Sequence, residues 1–177
     1  MNNLKRIFIA IDIPEKIKDE IVKIQKQIPS FNGKLTEYEN LHLTLKFLGE
    51  IDEPTIEEIR KKLRELKFMK FNVQIDKLGF FRKEHGAIIW LNLTNCENLQ
   101  KGIDNALGEL FEKEKRFMSH LTVARVKSVR DKTKFYSDLE NIKFPLLDFD
   151  VDSFVLKEST LERAGSIYKD LEKYSFS

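Results

Sequence analysis

The sequence predicts an α+β fold built from two related lobes, and three observations lead to this prediction. Short strand-like segments are interspersed with helical segments along the chain, which favours helices packed outside mixed sheets. No glycine-rich loop follows a strand, so a dinucleotide-binding or P-loop fold has no support. One short pattern, His-Leu-Thr followed by an aliphatic residue, occurs at His42 and again at His120, 78 positions later. The repeat suggests one such strand in each lobe of a single domain over residues 1–177, with no linker between the lobes.

The first part of the chain alternates strand and helix. The segment Lys5–Asp12 places isoleucines at every second position, which is typical of a strand. Pro14 favours the start of a helix that carries isoleucines at helical spacing, and Pro29 ends it. A loop over Ser30–Asn40 precedes the first motif strand, Leu41–Gly49.

The middle of the chain contains two helices on either side of a strand pair. An acidic residue and a proline in Asp52–Pro54 predict the start of a helix that runs to about Lys67. Two strands, Phe71–Phe81 and Ala87–Leu93, follow with a polar hairpin loop between them. The apolar spacing in Asn98–Lys115 predicts a third helix.

The last part of the chain is rich in strands. The second motif strand continues to Val126, and a short helix is predicted over Asp131–Leu139. The segment Phe144–Lys157 has strand character with a bend near Asp150. After a polar loop, the pattern predicts a last strand over Ser166–Lys173.

Composition excludes several classes of protein. The 177 residues are 41% hydrophobic and 34% charged, which is ordinary for a folded domain and does not favour disorder. No run approaches the roughly 20 apolar residues that span a bilayer, and the start leads into a strand instead of a signal peptide, so no membrane association is expected. The single cysteine, Cys96, favours a reducing cytoplasm. Because the net charge is only +2, a polyanion would have to bind to a local patch.

Both copies of the motif combine an imidazole with a hydroxyl. Successive side chains of a strand point to opposite faces, so His42 and Thr44 share one face of the first strand. His120 and Thr122 share one face of the second strand in the same way. Two such strands brought together would place two imidazoles and two hydroxyls around one small volume.

Two imidazoles on either side of a phosphorus atom can divide acid–base work. The unperturbed pKa of histidine, roughly 6.5, lies near neutrality. One neutral imidazole takes a proton from water while one imidazolium gives a proton to the departing oxygen, each contributing about 10²–10⁴-fold in rate. Repulsion between two positive charges favours this mixed state. The threonine hydroxyls can donate hydrogen bonds to phosphate oxygens. The residues by themselves do not assign which histidine is the acid.

Three neighbours of the motifs are further candidates. Lys46 has the same parity as His42, so we expect it to add positive charge on the same face. Arg125 has the opposite parity to His120 and can join the site only if the strand bulges or ends there. Phe8 is either a core residue or an aromatic side chain that flanks the cleft and stacks on a base.

The sequence leaves three other interpretations to compare with this one. A catalytic zinc site usually needs three protein ligands, and His85, in a polar loop, is the only further histidine. We therefore interpret His85 as a solvated loop residue and expect neither a metal nor another cofactor. The chain could also be an RNA- or nucleotide-binding module without catalysis. Alternatively, the same chemistry could act on a small cyclic-phosphate nucleotide.

The motifs resemble those of the two-histidine (2H) phosphoesterase superfamily. Within it, the chain is most similar to the RNA 2′,3′-cyclic phosphodiesterases, which are also called 2′-5′ RNA ligases. The resemblance covers nearly the whole chain. Four segments carry it: Arg6–Ala10, Asn40–Glu50, His120–Val126 and Leu156–Tyr168.

The resemblance implies a bilobal fold with two antiparallel sheets and outer helices around a central cleft. It implies metal-independent hydrolysis of RNA 2′,3′-cyclic phosphate ends to 2′-phosphates, with His42 as proton donor and His120 as proton acceptor. It also implies a weak, ATP-independent 2′-5′ ligation. The expected partner is RNA with such an end, for example a tRNA fragment, and a monomer is expected. The residues expected to bind the substrate are Thr44, Thr122, Lys46, Arg125, Phe8 and Tyr168.

Overall fold

A computed structural model describes residues 4–163 and 165–176, and within these ranges the chain forms four α-helices and nine strands in two antiparallel sheets. The expected α+β class, with two antiparallel sheets, is therefore confirmed. The elements in chain order are β1 Lys5–Asp12, α1 Glu15–Gln25, β2 Asn32–Leu35, β3 His42–Ile51, α2 Glu53–Arg64, β4 Phe71–Arg82, β5 Ala87–Leu93, α3 Glu97–Ala106, β6 His120–Ser128, α4 Lys132–Glu140, β7 Leu147–Val151, β8 Ser153–Glu162 and β9 Gly165–Ser175.

The two sheets meet at the motif strands. The first sheet has the order β3-β1-β8-β9 and the second has the order β2-β6-β5-β4-β7. In each sheet the motif strand forms antiparallel pairs, β3 with β1, and β6 with β5 and β2. Although β3 and β6 belong to different sheets, they contact each other. This contact brings two sequence segments that are far apart to one place.

Alternation of apolar side chains gives both sheets a buried face. The isoleucines of β1 are buried on one side of the first sheet, and Leu43 and Leu121 of the two motifs are buried in the same way. These residues belong to one apolar cluster that draws on both sheets and on the helices. Burial of this apolar surface is the main favourable contribution to folding. Among the described residues, no helix combines the length and apolar composition that a bilayer crossing requires.

The first motif strand contains a β-bulge immediately after its threonine. Thr44 pairs with Ala10, but the next paired position, Ile9, lies opposite Lys46, so Leu45 is an extra residue. Because side chains alternate along a strand, the extra residue reverses the facing of the residues that follow it, up to a second bulge at Leu48.

The second motif strand contains the same bulge at the equivalent position. Thr122 pairs with Trp90 and Ala124 pairs with Ile89, which leaves Val123 as the extra residue. The order of half-buried, buried and exposed residues from His120 onward is the same as that from the first motif histidine. The two lobes are therefore related in detailed backbone geometry as well as in sequence.

A helix from the first half of the chain holds the bulge of the second motif. The buried side chain of Gln25, at the end of α1, donates from Nε2 to the carbonyl oxygens of Val123 and Thr36, both at 2.9 Å. The Thr36 N–H also donates to the Val123 oxygen, at 2.9 Å. The carbonyl that the bulge frees from the sheet ladder is thus satisfied, as a buried backbone group requires.

A helix from the second half of the chain holds the first motif strand. The Lys46 ammonium lies 2.6 Å from the Asp104 carboxylate of α3 and donates to the Glu112 carbonyl at 2.7 Å. Gln100 and the Glu114 N–H also donate to Asp104, at 2.7 and 2.8 Å. Burial alone would raise the pKa of Asp104, but these hydrogen bonds hold it below its usual value. Each motif strand is therefore braced by a helix from the opposite half.

Three elements differ from the sequence prediction. The segment expected to be a loop contains β2, which pairs with β6 at the edge of the sheet and approaches it so closely that a Cβ on Gly33 would lie 2.2 Å from the Arg125 carbonyl oxygen. The third helix ends at Ala106 instead of Lys115. The chain folds back there, because the carbonyl of residue 112 and the N–H of residue 114 serve the buried ion pair described above. The strand β8 continues to Glu162, through most of the segment that was expected to be a polar loop before the last strand.

Candidate active site

His42 begins β3 and is held by two local hydrogen bonds. Its Nδ1 lies 2.7 Å from the carbonyl oxygen of Asn40, and its Nε2 lies 3.0 Å from Oγ1 of Thr44. Because a carbonyl oxygen only accepts hydrogen bonds, Nδ1 must carry a proton. In the neutral imidazole Nε2 then has the free lone pair, to which the Thr44 hydroxyl can donate.

His120 begins β6 and is held in the same way. Its Nδ1 lies 2.7 Å from the carbonyl oxygen of Met118, two residues before it. The same inference assigns the proton to Nδ1 and leaves Nε2 available for a reacting group. Thr122 is half-buried, two positions along the same face. The two motifs therefore present the same ring nitrogen with the same backbone anchor.

Aromatic side chains pack around each imidazole. The His42 ring lies 5.1 Å from Phe8 and 5.0 Å from Tyr168, the latter at an interplanar angle of 90°. The His120 ring lies 5.4 Å from Phe81 and 6.4 Å from Trp90. Packing of this kind restricts the rotamers of both imidazoles, which preorganises them for proton transfer.

Trp90 fits its place because the neighbouring residue of β4 is a glycine. A Cβ on Gly79 would lie 2.4 Å from the indole ring. The indole Nε1–H is buried and has no hydrogen-bond partner among the described residues. A buried, unpaired donor costs free energy unless a ligand or water satisfies it, and this donor belongs to the residue that pairs with Thr122.

A lysine of β8 supplies positive charge beside the first histidine. Lys157 pairs with Phe8 across the sheet, and its ammonium lies 2.9 Å from Asp12 and 2.5 Å from Asp170. Burial alone would lower the pKa of Lys157, but the two carboxylates raise it above its usual value. The ammonium therefore stays charged, and its charge acts on His42.

The surroundings of His42 disfavour its protonated form. Burial of the ring lowers its pKa to about 4; the hydrogen bond to Asn40 opposes this shift, and the charge of Lys157 adds to it. His42 is therefore neutral at pH 7 in the unliganded protein. A proton donated by His42 must be bound together with, or after, an anionic ligand that raises this pKa.

We expect an anion to shift the titration of His42 upward. In the unliganded protein its imidazole C–H resonances should titrate near pH 4. Saturating inorganic phosphate should raise the midpoint by about 1 to 3 pH units, because a neighbouring negative charge favours the imidazolium. NMR titration of the protein with and without phosphate measures both values.

The same titration in sodium chloride at equal ionic strength provides the control for general salt effects. A midpoint near 6.5 without phosphate would contradict the effect of burial. A midpoint near 4 that phosphate does not move would show that the anion does not reach His42.

Two of the residues predicted to contact the substrate lie in other surroundings in the structure. Lys46 does not share the face of His42, because the bulge at Leu45 turns it inward to its ion pair with Asp104. Phe8 is 2% exposed and offers no free face to a base, so it is a core residue that supports the imidazole.

The bulges also decide the facing of two other residues. After the second bulge Arg125 lies on the same face as His120. The alternation predicted from the sequence required a bulge, or the end of the strand, for Arg125 to reach the site. Arg125 is exposed and has no ion-pair partner among the described residues. At the equivalent position of the first motif stands Phe47, which is 76% exposed and lies 6.1 Å from Phe8.

Sequence reasoning missed four residues that the fold brings to the histidine site. Phe81 and Trp90 pack against the His120 ring, the charge of Lys157 acts on His42, and Phe47 packs against Phe8. Phe47 and Lys157 lie within segments that carry the family resemblance, which was the available signal. No local pattern distinguished Phe81 and Trp90 from ordinary strand residues.

The family model and the relatives that match this chain indicate the same family. The family model described as "LigT like Phosphoesterase" matches residues 11–90 and 93–168, so each matched segment contains one motif. A protein of Methanocaldococcus jannaschii named RNA 2′,3′-cyclic phosphodiesterase is 37% identical, over 96% of this chain and 99% of its own length. A protein of Thermotoga maritima with the same name is also 37% identical, over 97% of this chain and 95% of its own.

Solved structures show the same fold. The crystal structure of E. coli LigT complexed with 3′-AMP superposes with a TM-score of 0.80 at 23% identity, covering 98% of this chain and 99% of that one. The crystal structure of TT0787 of Thermus thermophilus has a TM-score of 0.77 at 27% identity, covering 97% of each chain. Because the family model matches both halves and relatives at 37% identity align along nearly the whole chain, this chain belongs to the LigT-like phosphoesterases of the 2H superfamily.

Proposed function

We propose that this chain hydrolyses the 2′,3′-cyclic phosphate at the end of an RNA to a 2′-phosphate without a metal ion. The observation that carries the proposal is the matched pair of imidazoles on two strands that contact each other. In each, Nδ1 is anchored to a backbone carbonyl, so that Nε2 is the ring nitrogen left for proton transfer. The name of the relatives at 37% identity supports this choice of substrate.

The chemistry uses His120 as the base and His42 as the acid, as the family resemblance implies. Nε2 of His120 takes a proton from water while the water oxygen attacks phosphorus. The bond from phosphorus to the ribose 3′ oxygen breaks, and Nε2–H of His42 gives its proton to that oxygen. The product carries a 2′-phosphate and a 3′-hydroxyl. Proton exchange with solvent then restores both imidazoles.

Negative charge on the phosphoryl oxygens is stabilised by hydrogen-bond donors on the two strands. We assign this role to Thr44, Thr122 and Arg125, which lie on the faces of the two histidines. The unpaired indole N–H of Trp90 is a further donor next to Thr122. Lys157, held by two carboxylates, makes protonated His42 a stronger acid.

The base of the terminal nucleotide stacks on an aromatic ring beside His42. Phe47 suits this role because most of its side chain is exposed, and Tyr168 is half-buried next to the imidazole. Stacking of this kind is the usual means by which proteins hold an unpaired RNA base.

Further properties follow from the same assignment. The reverse reaction would join a 5′-hydroxyl to a cyclic phosphate end through a 2′-5′ bond, weakly and without ATP. A tRNA fragment with a cyclic end is a suitable substrate, and we propose that the chain acts as a monomeric single domain in the cytoplasm.

An assay of product identity tests the function. Incubation with an RNA oligonucleotide that ends in a 2′,3′-cyclic phosphate should give the 2′-phosphate isomer, with an unchanged rate in excess EDTA. A 3′-phosphate product would contradict the proposed leaving group. Loss of activity in EDTA that zinc restores would contradict the metal-independent mechanism. Tight binding without turnover would instead favour a binding module.

A further inference from the structure

A groove outside the histidine site is bordered by α4, the end of β6 and the tip of the β4–β5 hairpin. Its volume is about 690 Å³. Four basic side chains, Arg82, Lys83, Lys127 and Lys132, line it together with the carboxylates Glu84 and Glu140. Within the described part of the chain, none of the four basic residues forms an ion pair. The groove therefore presents an excess of uncompensated positive charge.

One of these cations is held in a fixed orientation. The guanidinium carbon of Arg82 lies 4.4 Å from the ring centroid of Tyr136 and 5.6 Å from that of Phe80. A guanidinium that stacks on aromatic rings keeps its plane and directs its N–H donors in a set pattern, which suits bidentate contacts with phosphate. The orientation is thus set before any ligand binds.

The strand β6 connects this groove to the histidine site. Beyond the bulge, Arg125 and Lys127 alternate with buried Val126 and lie on the face of Thr122. Lys127 also lines the groove. The five steps along the strand from Thr122 to Lys127 span about 16 Å, which is farther than a nucleotide bound at the imidazoles would reach.

We propose that this groove binds the phosphodiester backbone of the same RNA, several nucleotides upstream of the end that reacts. The inference rests on the proposed function, because that function places the end of an RNA at the two histidines. The RNA strand leaves the histidine site, follows Arg125 and Lys127 along β6, and passes over the end of the sheet to Arg82 and Lys132. It must cross the end of the sheet because Arg82 lies on the opposite face of β4 from Phe81, which packs against His120. Backbone contacts of this type supply affinity without sequence preference.

Substrate length should reveal the second site. In a Lys127→Ala/Lys132→Ala variant, the KM for a cyclic-phosphate hexanucleotide should rise several-fold, while kcat/KM for 2′,3′-cyclic AMP should stay at the wild-type value. The slope of log Kd against log salt for the oligonucleotide should fall by about 1.4, since each phosphate contact on a single strand contributes about 0.7.

A matched control removes the same charge elsewhere. Lys61 and Lys67 are exposed, lie outside the groove and lack ion-pair partners among the described residues, so a Lys61→Ala/Lys67→Ala variant should leave the hexanucleotide KM unchanged. An equal rise of KM in both variants would overturn the proposal. So would a parallel loss of activity on the mononucleotide and the hexanucleotide in the groove variant.

Binding is measured separately from turnover, by fluorescence anisotropy of a labelled hexanucleotide with a 3′-phosphate end. If the wild-type protein bound this probe but turned over no cyclic phosphate, the proposed function would fail while the groove could still be judged by the binding of the two variants. If wild-type turnover were normal and the groove variant bound the probe as tightly as the control variant, the groove alone would be refuted.

Discussion

Replacement of either His42 or His120 by alanine should lower kcat by about 10²–10⁴-fold, because each imidazole performs one of the two proton transfers. The fold should remain intact, since both rings are only half-buried and neither belongs to the apolar cluster. Steady-state kinetics on a cyclic-phosphate RNA measures the effect, and circular dichroism checks the fold. Lys67→Ala, at an exposed position outside both the histidine site and the groove described above, is the control.

The two variants should differ with an activated substrate. A p-nitrophenyl phosphodiester has a leaving group that needs no proton, so His42→Ala should recover much of its lost activity on it, whereas His120→Ala should not. The opposite pattern would exchange the roles of acid and base. Near-wild-type turnover of RNA by either variant would refute the two-histidine mechanism.

Removal of the Asp104 carboxylate should destabilise the protein by about 3–5 kcal/mol, the usual cost of leaving one member of a buried ion pair alone. The side chains of Asp104 and Lys46 are only 5% and 6% exposed, and the ammonium would lose its countercharge. Gln100 would lose its acceptor as well. Urea unfolding of Asp104→Ala at pH 7 measures the loss.

A double variant separates the cost of an unpaired charge from the cost of a cavity. Lys46→Met/Asp104→Leu leaves no buried charge and side chains of similar shape, so it should recover the part of the loss that the unpaired ammonium causes. The part caused by the unpaired Gln100 amide and Glu114 N–H should remain. Lys157→Met/Asp170→Leu changes the same residue types at a pair whose carboxylate is exposed. Its free energy of unfolding should fall much less than that of Asp104→Ala. A loss below 1 kcal/mol for Asp104→Ala would show that water reaches Lys46.

The matching positions of the two motif histidines could be predicted from the sequence because they depend on a local pattern that occurs twice. Each histidine and its threonine lie within three consecutive residues, and the alternation of side chains along a strand places both on one face. The expected order of strands and helices was also correct, apart from β2 and the ends of α3 and β8. These features depend on short-range periodicity, which a single sequence displays directly.

The residues that were misplaced depend on long-range pairing. The facing of Lys46 and Phe47 reverses because of one extra residue in β3, and only the register with β1 reveals it. Trp90 and Lys157 reach the histidines through pairing between distant strands. No periodicity within a short segment contains this information, so neither residue could be assigned from the sequence.

Each half of the chain supplies a helix residue that binds a polar group of the other half, and this has a consequence for dividing the chain into fragments. A half-length fragment of residues 4–93 would contain Lys46 without the acid of α3, and a fragment of residues 94–176 would contain the carbonyl of Val123 without the amide of Gln25. Each piece would therefore carry an unmet polar group that only its counterpart supplies. Co-expressed pieces should assemble with each other and restore activity, whereas neither piece should be soluble and ordered by itself.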